Sequence, residues 1–302
     1  MVKKIIDTHI HIWDLQQARY SWLENDQSLL NRNYCLDELT EIKGTVHITH
    51  GLLVQAANNF EDTDWMLLNV EKYDWITGVV GWVPLTDPVA TTIALQEKYL
   101  RNPYFVGVRH LIHTEPDPYW LLQETVIRSL KILAAHQLTY DVVGIKAAHL
   151  MAAIIVSVKV PELKIVLDHL NQPPIATKER FGIWGELMKE AAKNPNLYVK
   201  ISGLSSTYGS SVCWTEQDLK PYIIYILELF GPDRCFCGGD WPVCLLNTTY
   251  EKNWQIYQQI LTDILTPEEL EKVFWQNAEK FYLSRSSQTQ HIDPHLLINP
   301  EI

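Results

Sequence analysis

The chain has 302 residues, 47% of them hydrophobic and 20% charged, with 25 Lys and Arg against 36 Asp and Glu for a formal charge of −11. That length carries one large domain or two ordinary ones, each with a sizeable core, and the composition excludes a disordered or coiled-coil chain. A pI near 5.4 excludes a general nucleic-acid binder, because nothing broadly neutralises phosphates.

The chain opens Met1-Val2-Lys3-Lys4-Ile5-Ile6-Asp7, with only two apolar residues between the lysines and the aspartate, so no secretory h-region is predicted. The longest apolar stretch, 147–158, contains His149 and Ser157 and is too short to cross a bilayer. Cys35, Cys213, Cys235, Cys237 and Cys244 are an odd set that suits reduced, packed thiols better than disulfides. A cytoplasmic protein with no membrane partner is the expectation.

Short runs rich in Val, Ile and Tyr predict strands at 4–11, 51–57, 77–83, 105–111, 138–143, 164–170, 197–203 and 234–239. Apolar spacing of i, i+3, i+4 predicts helices at 36–42, 62–71, 89–100, 120–136, 147–158, 180–193, 216–230 and 250–264, with a closing helix at 266–283. Thr215-x-x-Asp218 and Thr266-Pro267-x-Glu269 read as helix starts. Most strand runs are almost continuously apolar, as parallel strands covered on both faces should be. Strict β/α alternation predicts a (β/α)8 TIM barrel over 1–283 with an extra C-terminal helix, then a polar tail at 284–302. A doubly wound sheet is the alternative, but His9-Ile10-His11 stands where its glycine-rich fingerprint would follow the first strand. The tail leaves open both a free end and packing on a second copy in a homo-oligomer.

In such a barrel, chemistry collects at the C-terminal ends of the strands. There the sequence places His9 and His11, Arg109 and His110, Asp168 and His169, Lys200 and Ser202, and Asp240. Each alone has an ordinary reading: a histidine satisfying buried backbone, a turn, a rim charge. Three imidazoles and a carboxylate at one rim have little structural purpose, because burying them unused is costly.

The ordered stretches Ile6-Asp7-Thr8-His9-Ile10-His11-Ile12-Trp13-Asp14, Gly78-Val79-Val80-Gly81-Trp82-Val83, Gly107-Val108-Arg109-His110, Leu167-Asp168-His169-Leu170-Asn171-Gln172-Pro173, Lys200-Ile201-Ser202-Gly203-Leu204 and Asp240-Trp241-Pro242-Val243-Cys244 span nearly the whole chain. With them the chain resembles the amidohydrolase superfamily, and within it the sugar-lactone lactonases of the L-fuconolactonase and L-rhamnonolactonase type. The resemblance implies a central constellation of His9, His11, His169 and Asp240, and a small-molecule sugar lactone as partner. Two departures stand out: Gly239 replaces the serine usual before the aspartate, and the segment 144–149 differs where substrate contact is expected.

Lactone opening needs an activated water, a polarised carbonyl and a proton for the departing alkoxide. Asp240 is the expected general base. His9, His11 and His169 serve in one of two ways. Either they bind one divalent metal ion, zinc by donor type, with Asp240 as a further ligand, or they hold the carbonyl oxygen directly. Arg109 is expected to anchor a hydroxyl or carboxylate through its planar fork, and Lys200 to hold a substrate oxygen. Trp13, Trp82 and Trp241 offer either sugar-face stacking or closure of the barrel end, and His110 and His113 are further contacts. Asp14 and Asp141 are weaker candidates for orienting ligands or binding hydroxyls. Strand parity predicts that Asp168 faces away from His169, in a structural role. The competing readings are a metal-dependent decarboxylase or lyase, a non-catalytic sugar-acid binder and, against the acidic charge, a deoxyribonuclease-like barrel.

Overall fold

A computed structural model describes residues 2–208 and 214–285. Eight parallel strands pair in sequence order: β1 (Ile6–Ile10), β2 (His50–Val54), β3 (Ile76–Gly81), β4 (Phe105–His110), β5 (Thr139–Val142), β6 (Ile165–Leu167), β7 (Leu197–Ile201) and β8 (Cys235–Cys237). The ring closes just beyond β8, where Asp240 N–H donates to His9 O (2.8 Å) and His11 N–H to Trp241 O (2.7 Å). The molecule is a (β/α)8 barrel, and these closing bonds tie the ends of the first and last strands together at the C-terminal rim.

The helices are α1 (Leu36–Lys43), α2 (Phe60–Val70), α3 (Pro88–Ala94), α4 (Glu124–Ala135), α5 (Ala147–Lys159), α6 (Gly182–Ala192), α7 (Glu216–Phe230), α8 (Tyr250–Ile264), α9 (Pro267–Glu271) and α10 (Asn277–Tyr282). Both expected helix starts form reciprocal capping boxes, Thr215 with Asp218 and Thr266 with Glu269. The helix expected over 120–136 is interrupted, because Gln123 takes an extended ψ of 136° between a short turn at Trp120–Leu122 and α4. The closing helix is α9 and α10 joined by a wider π turn at Lys272–Gln276.

Inside the barrel, Ile6, Leu52, Val54, Val80, Val106, Val166 and Phe236 pack together with Ala278, Phe281 and Tyr282 of α10. The C-terminal helix therefore plugs the barrel end opposite the rim, and Tyr282 reaches up to the polar layer beneath the site. Cys235, Cys237 and Cys244 are buried free thiols, as expected of packed cysteines, whereas Cys35 is exposed. Cys213 and nearly all of the expected tail lie outside the described residues. No helix among the described residues is long and apolar enough to cross a membrane.

Candidate active site

The four expected central residues meet at one point. Asp240 Oδ1 lies 3.5 Å from His11 Nε2, 3.8 Å from His9 Nε2 and 3.9 Å from His169 Nε2. All four residues are buried. His9 and His11 leave the end of β1, whose register on β2 shifts between Asp7 and Ile10. Asp240 turns inward through a left-handed backbone, φ 57°. His169 begins a run of four left-handed residues, His169 to Gln172, with φ between 51° and 56°. Such a run of non-glycine residues is unfavourable and is typical of functional sites.

That run overturns the parity argument for Asp168. Asp168 faces the barrel interior with Val166, as alternation along β6 requires. His169 reaches the same interior because its φ is positive. Gly203 makes room for this arrangement: with φ 57°, it sits where a Cβ would meet His169 Nδ1 and lie 2.8 Å from Asp240 Oδ2.

Each imidazole is held from behind. His11 Nδ1–H donates to Val54 O (2.7 Å), which leaves the Nε2 lone pair facing Asp240. His169 Nδ1 pairs with the Ser202 hydroxyl (2.9 Å). His9 lies between two cations, with Lys200 Nζ 3.1 Å from Nδ1 and Arg109 Nη1 3.0 Å from Nε2. Burial drives the pKa of His11 down to about 3, with Arg109 adding to the effect. Burial also lowers His169 and holds His9 well below its usual range, Asp168 opposing and Lys200 reinforcing in the latter case. All three rings are therefore neutral at pH 7. Burial raises Asp240 above the ordinary carboxylate value, against the pull of His169 and Arg109, which makes it a stronger base than a solvated aspartate.

The cavity over this cluster has a volume of about 210 Å³, with His11, His169, Asp240, Arg109, Trp13 and His113 among its lining. Lys200, Trp82, Trp241 and His110 do not line it. Lys200 is fully buried below His9, paired with Asp141 (2.6 Å) and Asp168 (3.1 Å), so the expectation that it holds a substrate oxygen is corrected: no solvent-facing surface remains to it. Trp82 Nε1–H donates to His110 Nδ1 (3.0 Å), His110 Nε2 pairs with Glu115 (2.7 Å), and the His110 ring stacks on Trp120 at 4.0 Å. Trp241 is buried edge-on against Tyr34. Arg109 lines the cavity but does not offer its fork. Nη1 serves His9 and Asp168, Nη2 donates to Gln55 O, and only Nε lacks a protein partner. Asp141 is buried against Lys200 and Tyr282, and Asp14 accepts from Gln16 N–H and Asn33.

Among the described residues, His9, His11 and Asp240 each offer a ligand atom within 4.8 Å of the others, as do His9, Asp168 and His169. The second group is spoken for, since the carboxylate of Asp168 is paired with Lys200 and Arg109. The first suits a divalent ion: it combines neutral imidazoles, a free Nε2 lone pair on His11 and a carboxylate, the donor set zinc takes.

The model of the amidohydrolase family matches residues 6–283, from the first strand to the end of the plugging helix. The chain belongs to the amidohydrolase family. This amidohydrolase is 29% identical to the L-fucono-1,5-lactonase of Burkholderia ambifaria, over 95% of this chain and 98% of that one. It is 27% identical to the L-rhamnono-gamma-lactonase of Scheffersomyces stipitis, over 92% and 98%. A crystal structure of an amidohydrolase from Burkholderia multivorans with bound zinc superposes with a TM-score of 0.84 at 25% identity, covering 92% of this chain and 99% of that one.

Sequence reasoning passed over Asp7 and the reason for Gly239. Asp7 Oδ1 accepts from His9 N–H (3.0 Å) and Gly239 N–H (2.8 Å), while Oδ2 accepts from Tyr250 (2.8 Å) and Trp254 (3.3 Å). One buried carboxylate thus clamps the first strand to the turn that carries Asp240. A Cβ on Gly239 would lie 2.5 Å from both Asp7 Oδ2 and the Tyr250 ring. In this amidohydrolase Gly239→Ser is therefore expected to cost about 1–3 kcal/mol of stability through overpacking, read as a lower denaturant midpoint. Unchanged stability and turnover would show that the clamp yields freely.

Proposed function

We propose that this protein hydrolyses a sugar lactone of the L-fucono or L-rhamnono type to the sugar acid. One observation carries the reading: three neutral imidazoles surround a single carboxylate oxygen at 3.5–3.9 Å on the wall of a small cavity. The names of the relatives over nearly the whole chain support the same ester chemistry.

Asp240 takes a proton from water as the water oxygen bonds to the lactone carbonyl carbon. The His11 Nε2 lone pair accepts the water's other hydrogen and aligns it. His11 cannot also be an oxyanion donor, because its one N–H is given to Val54 O. With Ser202 donating to Nδ1, His169 carries its proton on Nε2 and presents it to the carbonyl oxygen, where negative charge develops. The fixed cation of Arg109 stabilises the same charge. On collapse the ring C–O bond breaks and the proton held by Asp240 passes to the departing alkoxide. His9, His11 and Asp240 would hold a zinc ion, which when bound would polarise the carbonyl and acidify the water.

A pH-indicator screen of sugar lactones, with and without chelator, tests the reading, and failure to release acid from any lactone ends it. The acid limb of kcat belongs to Asp240, which must be ionised to act. Because burial raises its pKa, activity is expected to fall with decreasing pH at an apparent pKa above 3.8. Arg109 lowers that pKa, so Arg109→Met should move the limb to higher pH. A limb at or below the ordinary carboxylate value would assign the titration elsewhere.

A further inference from the structure

Helix α5 breaks the pattern of the barrel's outer ring. A surface helix turns one apolar stripe to the core and polar residues to the other face. Its neighbours in the ring obey this: α4 exposes Glu124, Arg128 and Lys131, and α6 exposes Glu186, Lys189 and Glu190. In α5 no charged residue stands between Lys146 and Lys159, and the two polar ones there, His149 and Ser157, are buried. Leu150, Ala152, Ala153 and Val156 take the core side. The outward face is left with Ala147, Met151, Ile154, Ile155 and Val158, of which Met151 is 39% and Val158 65% exposed. Ala147, Met151, Ile154 and Val158 follow at steps of four, three and four, the seam along which two helices interlock. Ile183 at the start of α6 is also exposed, and it shares a cleft with Ala147 and Leu150 that widens the patch. Among the described residues nothing covers this face. A helix apolar on all sides belongs in an interior, and an apolar patch rimmed with charge marks a contact surface.

We propose that this face is the centre of a two-fold homodimer, in which α5 packs antiparallel on α5 of a second copy. The stripe is its own complement. Met151 and Val158 lie equally far from the midpoint between Ile154 and Ile155, so an antiparallel pair sets Met151 of each copy against Val158 of the other and leaves the isoleucines at the axis. The charges at the ends agree with this register. Lys146, just before α5, comes to the turn that follows α5 in the other copy, where Glu162 stands exposed. Glu162 in turn meets a helix N-terminus, the end that favours an acid. A parallel pair would instead set Lys146 against Lys146 and Lys159 against Lys159. The helix is about 20 Å long, so an interface of standard size, about 800 Å² per copy, extends onto the charged outward residues of α4 and α6, which supply its polar rim. A membrane is a poorer occupant, because a helix lying on one carries Lys and Arg along its polar face, whereas this chain has a net charge of −11.

Analytical ultracentrifugation of the full-length protein over a concentration series tests the proposal. Interfaces of standard size hold at micromolar Kd or tighter, so at about 100 μM the mass is expected to be twice the 35.0 kDa of one chain. Met151→Glu and Val158→Lys, both at exposed positions, should each raise the dimer Kd at least tenfold while the circular dichroism of the folded chain is unchanged. Combining the two in one chain should restore association, because the antiparallel register puts each introduced acid opposite an introduced base. A wild-type chain that stays monomeric at the same concentration overturns the proposal. If that monomer floats with vesicles of phosphatidylcholine and phosphatidylglycerol, the face belongs to a membrane instead. A dimer indifferent to both single variants places the contact elsewhere and overturns it too. A double variant that associates no better than the single ones overturns the antiparallel pairing.

Discussion

Asp240→Asn is expected to lower kcat by about 10²–10⁴-fold, the contribution of a positioned general base, while the fold and lactone affinity stay close to wild type. The substitution is a clean one. Asparagine shares the shape of aspartate and, like it, tolerates the left-handed backbone that position 240 adopts at φ 57°. The backbone bond from residue 240 to His9 O, which helps close the barrel, is untouched. What disappears is the basic oxygen that faces three Nε2 atoms. Asn Nδ2 brings donors instead, which the His11 lone pair accepts but which take no proton from water. The decisive comparison is acid release from L-fuconolactone at pH 8 alongside calorimetric affinity for the sugar acid. Near-wild-type turnover would remove Asp240 from the base role, whatever the geometry around it.

The barrel was legible because parallel strands buried on both faces must be written as short apolar runs, and all eight runs pair in sequence order. The convergence of His9, His11, His169 and Asp240 was legible for a related reason: polar residues at the ends of such runs have few other places to go. What stayed hidden depends on backbone conformations and long-range packing that carry no local pattern. Alternation predicts opposite faces for Asp168 and His169, and a single left-handed residue cancels it. Lys200 reads as a rim charge because lysine usually is one, yet two distant carboxylates, Asp141 and Asp168, bury it. The fork of Arg109 looks available until the inward partners His9, Asp168 and Gln55 are known. The role of Gly239 becomes visible only with Tyr250 and Trp254, which occupy the space a serine side chain needs.

Lys200→Met is expected to destabilise the fold by about 3–5 kcal/mol, the cost of stranding buried charge by removing its partner. Methionine replaces the aliphatic stem at similar volume, so packing is largely kept and the electrostatic loss is isolated. In the wild type, Lys200 Nζ is 2.6 Å from Asp141 Oδ2 and 3.1 Å from Asp168 Oδ1, and the α10 residue Tyr282 donates to Asp141 at 2.8 Å. Burial opposes ionisation of Asp168, but Lys200, His9 and Arg109 outweigh it and hold the carboxyl well below its usual range. Asp141 is pushed up by burial even with Lys200 opposing. Without the lysine, Asp168 keeps Arg109 as a partner, whereas Asp141 keeps only a phenol. Its folded-state pKa must then rise further above the unfolded value. A carboxyl of that kind destabilises the folded chain at pH above its raised pKa, and the penalty disappears as pH falls and the group is protonated in both states. The deficit of Lys200→Met should therefore be smaller at pH 5 than at pH 8 in denaturant titrations. Adding Asp141→Asn should recover part of it at pH 8, the uncharged amide still accepting from Tyr282. A deficit independent of pH, or a double variant no more stable than Lys200→Met, would mean that the lysine acts through packing alone. The same variant frees His9 Nδ1 from its cation, so turnover measured under conditions where it remains folded separates the support of His9 from the stability of the barrel.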